Sequence, residues 1–306
     1  MISDLVVIGG GASGYMGAIT AVSNQLGSVV ILESTSKVLE KVRISGGGRC
    51  NLTNSCWEIS NLVNNYPRGE KQLLGLFNRF STTEAFDWFQ NQGLRLKIEN
   101  DGRVFPLSDS SNDVIKCLKD VAETYGVKVF THSHVKHISK TNDVFNLLVK
   151  GNKYFHTKNI LICTGGHPSG RKLARNLGHS IIQPVPSLFS LSSSDKSLES
   201  CSGISLNVQI KLTVSNKKYT ETGSILITHK GFSGPVILRL SAFSARKLHA
   251  NNYICDLRIN WLCMPENQVR SIIDLYKIEN SKKLVLNNKP FNQLPKRLWR
   301  ALLLSE

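Results

Sequence analysis

Residues 4–34 read DLVVIGGGASGYMGAITAVSNQLGSVVILES, and this stretch decides the fold. Residues 5–8 and 29–32 are continuous apolar runs, as expected of parallel strands covered on both faces. Between them a glycine turn leads into a helical pattern, so the stretch predicts a βαβ unit. Its glycines fall as Gly9-x-Gly11-x-x-Gly14, directly between strand and helix. In a dinucleotide-binding turn the first glycine permits the tight bend, the second admits a pyrophosphate to the backbone, and the third lets helix pack on strand. The free N–H groups and positive dipole end of the helix then hold the phosphates. Glu33 ends the second strand, where it would accept hydrogen bonds from an adenosine ribose and repel a 2′-phosphate. This motif alone leaves FAD and NAD undistinguished.

Further along, residues 70–92 and 110–125 show helical periodicity, the latter with Ser108 and Ser110 as cap candidates. Residues 127–164 change to short strands, VKVFTHSHVKHI, DVFNLLVK, KYFHT and NILICTGG, separated by turn residues. They predict a β-meander closed by a strand that runs into Thr164-Gly165-Gly166. A meander followed by such a strand and turn, coupled to the N-terminal motif, moves the expected cofactor from NAD to FAD.

Pro184, Pro186 and a composition shift place a domain boundary near residue 186, giving an FAD-binding domain over 1–186 and a second domain over 187–306. The second domain opens with β-rich segments, 206–214 and 224–228. A helix is expected after GFSGP, and the tail from about residue 265 reads as helical.

Five segments together resemble one bacterial flavoprotein family: ISGGGRCNLTN (44–54), GRVFPLSDSSNDV (102–114), ICTGG (162–166), GHSIIQPVPSLFSL (178–191) and THKGFSGPVILRLS (228–241). This is the family of NAD(FAD)-utilising dehydrogenases, the aminoacetone oxidase family, and the resemblance runs through the whole chain. It implies an α/β fold in which a Rossmann-like FAD domain carries an inserted β-barrel and helical domain. It also implies an FAD-dependent oxidoreductase that passes hydride between flavin and a small organic substrate, with NAD(P)H a candidate electron donor.

By the same resemblance, Gly9, Gly11, Ser13 and Gly14 hold the pyrophosphate, Glu33 the ribose, Lys41 a neighbouring polar group, and Val135 the adenine through its backbone. Gly46, Gly47 and Gly48 with Arg49, Cys50 and Asn51 lie along the pyrophosphate and isoalloxazine, and Thr164 and Gly165 close the site. Arg103 and His229 are the candidates for the substrate side. The loop HPSGRKLARNLGH (167–179) is shorter than in many relatives. The family pattern also continues beyond LPKRLWRALLL (294–304) with a glycine-rich segment that returns over the flavin, whereas the only Gly-Glu here, Gly69-Glu70, comes too early to be that element. The expectation is therefore a site with one wall outside this sequence, and a separately encoded C-terminal segment is a candidate partner. The alternative function is a binding module for a dinucleotide or nucleic acid.

Other chemistries find less support. Seven cysteines form no CxxC and suit reduced thiols in a cytoplasmic protein better than a disulfide framework. Cys50 reads as a packed or flavin-adjacent cysteine rather than a redox pair. No run approaches the eighteen or so apolar residues of a membrane helix. The net charge is +16, from 38 Lys and Arg against 22 Asp and Glu. The basic residues are scattered and no aromatics interleave them, so a solvated surface is expected ahead of a nucleic-acid partner. His132, His134 and His137 tempt a metal reading, but on one strand His137 would face away from the other two. No Gly-x-Ser-x-Gly elbow supports a hydrolase.

Overall fold

The two apolar runs of the opening stretch become β1 (Ile2–Ile8) and β2 (Val29–Leu32), which flank α1 (Ala12–Ser23). They pair in parallel, with Leu5 opposite Val29 and Ile8 opposite Leu32. The computed structural model describes residues 2–304 and explains why these runs do not alternate with polar residues. Leu5, Val7, Val29 and Ile31 point into one core with Tyr15, Ala18 and Ile19 of α1, while Val6, Ile8, Val30 and Leu32 point into another on the opposite face. Each fully buried side chain of this size contributes roughly 1.5–3 kcal/mol relative to exposure.

The chain divides into two compact units, Met1–Ile182 and Gln183–Glu306. In the first unit, α2 (Glu40–Ile44), β3 (Thr53–Asn54), α3 (Ile59–Val63), α4 (Glu70–Phe77) and α5 (Thr82–Asn91) follow the βαβ unit. Next come β4 (Leu96–Ile98), β5 (Arg103–Pro106), α6 (Ser111–Thr124), β6 (Lys128–Phe130), β7 (Val135–Thr141), β8 (Val144–Val149), β9 (Tyr154–Ile162) and α7 (Pro168–Asn176). The main sheet runs β6-β2-β1-β9-β8-β7, and β3-β5-β4 form a small second sheet.

Three expectations for this first unit need correction. The helical stretch 70–92 is two helices, because Ser81 and Glu84 form a capping box that starts α5 afresh. KYFHT and NILICTGG are not separate strands but the single β9, whose first half pairs antiparallel with β8 and whose second half pairs parallel with β1. VKVFTHSHVKHI is two strands: β6 joins the parallel edge beside β2, and only β7 belongs to the meander. His132 and His134 consequently sit in the loop between β6 and β7, with His132 at a φ of 53°, and not on a strand.

The second unit contains β10 (Leu191–Ser192), β11 (Ser205–Val214), β12 (Lys217–Thr228), β13 (Gly231–Ser233), α8 (Pro235–Ala250), β14 (Asp256–Asn260), α9 (Glu266–Glu279) and α10 (Lys296–Leu304). Its antiparallel sheet is ordered β10-β13-β12-β11-β14. Inward residues of β11, Val208, Ile210, Leu212 and Val214, bury against Val236, Ile237, Leu240 and Leu248 of α8. The expected helical tail is interrupted over residues 280–295. Phe291 and Leu294 of this region and Leu298 and Trp299 of α10 close a second core with Ile204 and Ile227, and the Trp299 indole donates to the Val285 carbonyl at 2.8 Å.

Candidate functional site

A cavity of about 810 Å³ opens in the first unit where β1, β2 and β9 end and α1 begins. In open α/β sheets this carboxyl-end crevice is where ligands bind, and the volume lies within the ordinary range for cofactor sites. The GxGxxG turn forms its floor. Gly9 has a φ of 114°, and a Cβ there would lie 2.4 Å from the Cys163 carbonyl oxygen. A Cβ on Gly14 would lie 2.0 Å from the Gly9 carbonyl oxygen. Both glycines are therefore required by contacts within the protein.

Gly11 is different. Its φ is an ordinary −87°, a Cβ there would meet nothing within 4 Å, and the residue lines the cavity. No contact inside the chain explains why this position lacks a side chain. Gly11 is also the N-cap of α1, which has no side-chain cap and no acid in its first turn. Its orphan N–H groups and dipole end stand free for an anion.

Glu33 stands at the end of β2 on the cavity wall. Burial opposes its charge, but the N–H groups of Thr35 and Gly10, each donating at 2.8 Å, and the Thr35 and Ser34 hydroxyls outweigh that effect and hold its carboxyl below the usual range. At neutral pH it is an anion fixed in position: Oε1 takes three of these bonds, and Oε2, which takes only the Gly10 N–H, is left able to accept another. Lys41 faces the turn after β9, about 3.8 Å from where a Cβ on Gly165 would stand.

Both Glu33 and Asp4, the latter lowered to about 2 by hydrogen bonds from Lys158 and Ser28, have folded values below their unfolded ones. Their stabilisation is complete above the unfolded values of 4.5 and 3.8 and is lost as pH falls through the folded values. The urea midpoint is expected to stay level down to about pH 5 and to drop below it, and the drop should be shallower in Glu33→Gln than in wild type. Equal acid sensitivity in the two proteins would remove Glu33 from this account.

Of the residues expected at the site, Ser13, Cys50, Asn51, Val135, Thr164 and Gly165 line this cavity together with Gly9, Gly11, Glu33 and Lys41. Burial pushes the Cys50 and Cys163 thiols up, against the opposing hydrogen bonds of Ser45 and Ser13, so both stand in the wall as neutral thiols. The glycine run is a left-handed turn, with φ of 56°, 69° and 88° at Gly46, Gly47 and Gly48, followed by 60° at Cys50. That conformation explains three successive glycines.

Gly14, Gly46, Gly47, Gly48 and Arg49 are not among the lining residues. The Arg49 guanidinium is taken up by Glu99 and Asp109, and its carbon lies 4.0 Å from the centroid of the Phe105 ring. Arg103 joins the same cluster, bonded to Asp101 at 2.8 Å and Glu99 at 3.2 Å, so it too points to acids and not to the cavity. His229 belongs to the second unit, where it lines a polar cavity of about 400 Å³ with Asp195, Lys196 and Lys230. Sequence reading missed Phe89 of α5 and Val114 and Leu118 of α6, which supply the apolar wall. Each reads as an ordinary core position, since only packing shows that the core here has a mouth.

Two protein-family models match the chain: the HI0933-like protein Rossmann domain over residues 3–233, and the HI0933-like protein barrel and H2TH domain over residues 185–305. Among curated proteins, the chain is 28% identical to a 3-dehydro-bile acid delta(4,6)-reductase of Clostridium scindens, over 88% of this chain and 67% of that protein. It is also 28% identical to a ribosomal RNA dihydrouridine synthase of Haemophilus influenzae, over 97% of this chain and 73% of that protein. Among solved structures, Thermovibrio ammonificans THI4 aligns with a TM-score of 0.41 at 12% identity, over 58% of this chain and 64% of that one. With the parallel-sheet unit and the antiparallel unit both matched by these models, the chain belongs to the HI0933-like family of FAD-dependent Rossmann-fold oxidoreductases.

Proposed function

We propose that this chain binds FAD in the 810 Å³ cavity and reduces a carbon–carbon double bond conjugated to a carbonyl group. The observation that carries FAD binding is Gly11, a side-chain-free position that nothing in the protein needs, set at an uncapped helix start on the cavity floor. The α1 start, with Gly9, Gly11, Ser13 and Gly14, would hold the pyrophosphate, and Glu33 the ribose. Lys41 would supply a cation beside the turn after β9, and Val135 a backbone contact to the adenine. Cys50, Asn51, Thr164 and Gly165 would bound the ring end, with Gly47 and Gly48 shaping the turn that leads to Cys50 and Asn51 and with the neutral thiol of Cys50 unable to act as a competing thiolate nucleophile. Bound FAD supplies the hydride chemistry, while the protein supplies position and exclusion of water.

The reaction type follows from what the two curated relatives' names have in common. A delta(4,6)-reductase of a 3-dehydro bile acid and a dihydrouridine synthase each saturate a double bond activated by a carbonyl. Such a bond accepts hydride at the carbon remote from the carbonyl and a proton at the nearer one. This chemistry favours reduction, with NAD(P)H as the electron donor, over amine oxidation. All seven cysteines are free thiols, in keeping with a reducing cytoplasm.

A second reading of the substrate, uracil within RNA, takes its support from the name of the second curated relative, and the net charge of +16 is compatible with it. The test is reconstitution of the full chain with FAD. Flavin should co-elute with the protein, its visible band should bleach anaerobically with NADH or NADPH, and a steroid enone or a uridine-containing RNA should restore it. Failure to retain flavin at about 1 mM free FAD, a Kd worth only about 4 kcal/mol, would sink the reading.

A further inference from the structure

Strand pairing in the second unit gathers cations that lie far apart in sequence. Lys211 of β11 stands opposite Arg258 of β14 on one side and Thr220 of β12 on the other. Lys218, paired with Thr213, follows two residues from Thr220 on the same face. Because the alternate residues Ile210, Leu212 and Val214 are buried against α8, this face points away from the core, and Lys211, Lys218 and Arg258 are exposed. Gln209, Thr220 and Thr222 surround them with hydrogen-bonding side chains, and Asp256 at one end is the only acid of the three paired strands on this face.

Like charges directly across a strand pair repel, yet Lys211 and Arg258 have no acid between them. The acids Glu221 and Glu266 are held by Arg239 and Arg270 instead. The charge continues around the hairpin tip, where Lys217, Lys218 and Lys247 line a hollow with Ser215 and Asn216 and no acid. The whole unit carries 17 Lys and Arg against 8 Asp and Glu.

We infer that this sheet face docks an RNA strand through its phosphates, an inference that rests on the RNA reading of the substrate. Arg258 offers a fork for a phosphate, the lysines offer point charges, and Gln and Thr side chains serve phosphate and sugar oxygens. The face has no aromatic ring on which bases would stack, so it grips the backbone without reading sequence.

The probe is a fluorescently labelled uridine homopolymer, titrated against the full FAD-reconstituted chain by anisotropy at several salt concentrations. The triple variant K211A/K218A/R258A should keep its melting temperature and its flavin, bind about tenfold or more weakly at low salt, and lower the slope of log K against log salt by about 2. A control triple in the first unit, K128A/K150A/K153A, removes the same charge and should bind as wild type. Binding by the surface triple equal to wild type, or equal loss in both triples, overturns the docking face while leaving the RNA reading standing. No RNA binding by wild type at low salt overturns both and leaves flavin retention untouched. Capture by phosphatidylserine vesicles in place of RNA also overturns the proposal. Variant-sensitive binding with no flavin reoxidation by uridine RNA keeps the docking face and removes the substrate reading.

Discussion

Gly11→Asp is expected to fold at least as well as wild type and to lose FAD. The new Cβ meets nothing within 4 Å and the backbone is already in an ordinary extended conformation. An aspartate at this N-cap accepts from the free N–H groups of the first turn and complements the helix dipole, for a gain of about 0.5 kcal/mol over glycine and about 1–2 °C in Tm. The same carboxylate occupies the place a pyrophosphate would take and repels it. Affinity for FAD should fall by at least about 100-fold, or ~2.7 kcal/mol, in a fluorescence-quenching titration. Gly11→Ala should lose less, since it adds bulk without charge. A Gly11→Asp protein that binds FAD like wild type would remove the helix start from the cofactor site, whatever its stability.

Gly14→Ala, three residues away, is expected to do the reverse and damage the fold itself. Its Cβ would lie 2.0 Å from the carbonyl oxygen of Gly9 and 3.4 Å from Val7, so α1 must move off β1. The obstacle is backbone and cannot rotate aside, and the helix face that moves carries Tyr15, Ala18 and Ile19 in the main core. The cost should exceed about 3 kcal/mol, which in a domain of this size is a fall in Tm of about 10 °C. Gly17→Ala is the comparison: its Cβ would lie 2.5 Å from Leu161 Cδ2, the end of a flexible side chain, so its cost should be about 1 kcal/mol. Equal thermal midpoints for Gly14→Ala and Gly17→Ala would show that helix and strand are less tightly apposed than the geometry requires.

These two variants separate roles that the sequence pattern treats as one. Gly9-x-Gly11-x-x-Gly14 is legible because a turn, a close approach and a ligand each forbid a side chain, but the pattern does not say which reason applies where. The capping box at Ser81 and Glu84 is equally legible in the sequence, and it breaks the helical period that runs through residues 70–92. Arg49 meets Glu99 and Asp109 from 50 and 60 residues away, through the β4–β5 pairing, and no local spacing encodes that. Arg103 instead meets Asp101 and Glu99 within four residues of chain, a spacing that is legible in the sequence.

By itself the sequence determined the βαβ start, the helix that begins at the cavity and the anion at the end of β2, because each depends on contacts within about thirty residues of chain. Only the tertiary structure decided that Phe89, Val114 and Leu118 would wall a cavity and not simply fill a core. It alone placed Lys211, Lys218 and Arg258 on one face. Both outcomes depend on strand register and helix packing, which join residues that the chain itself keeps far apart.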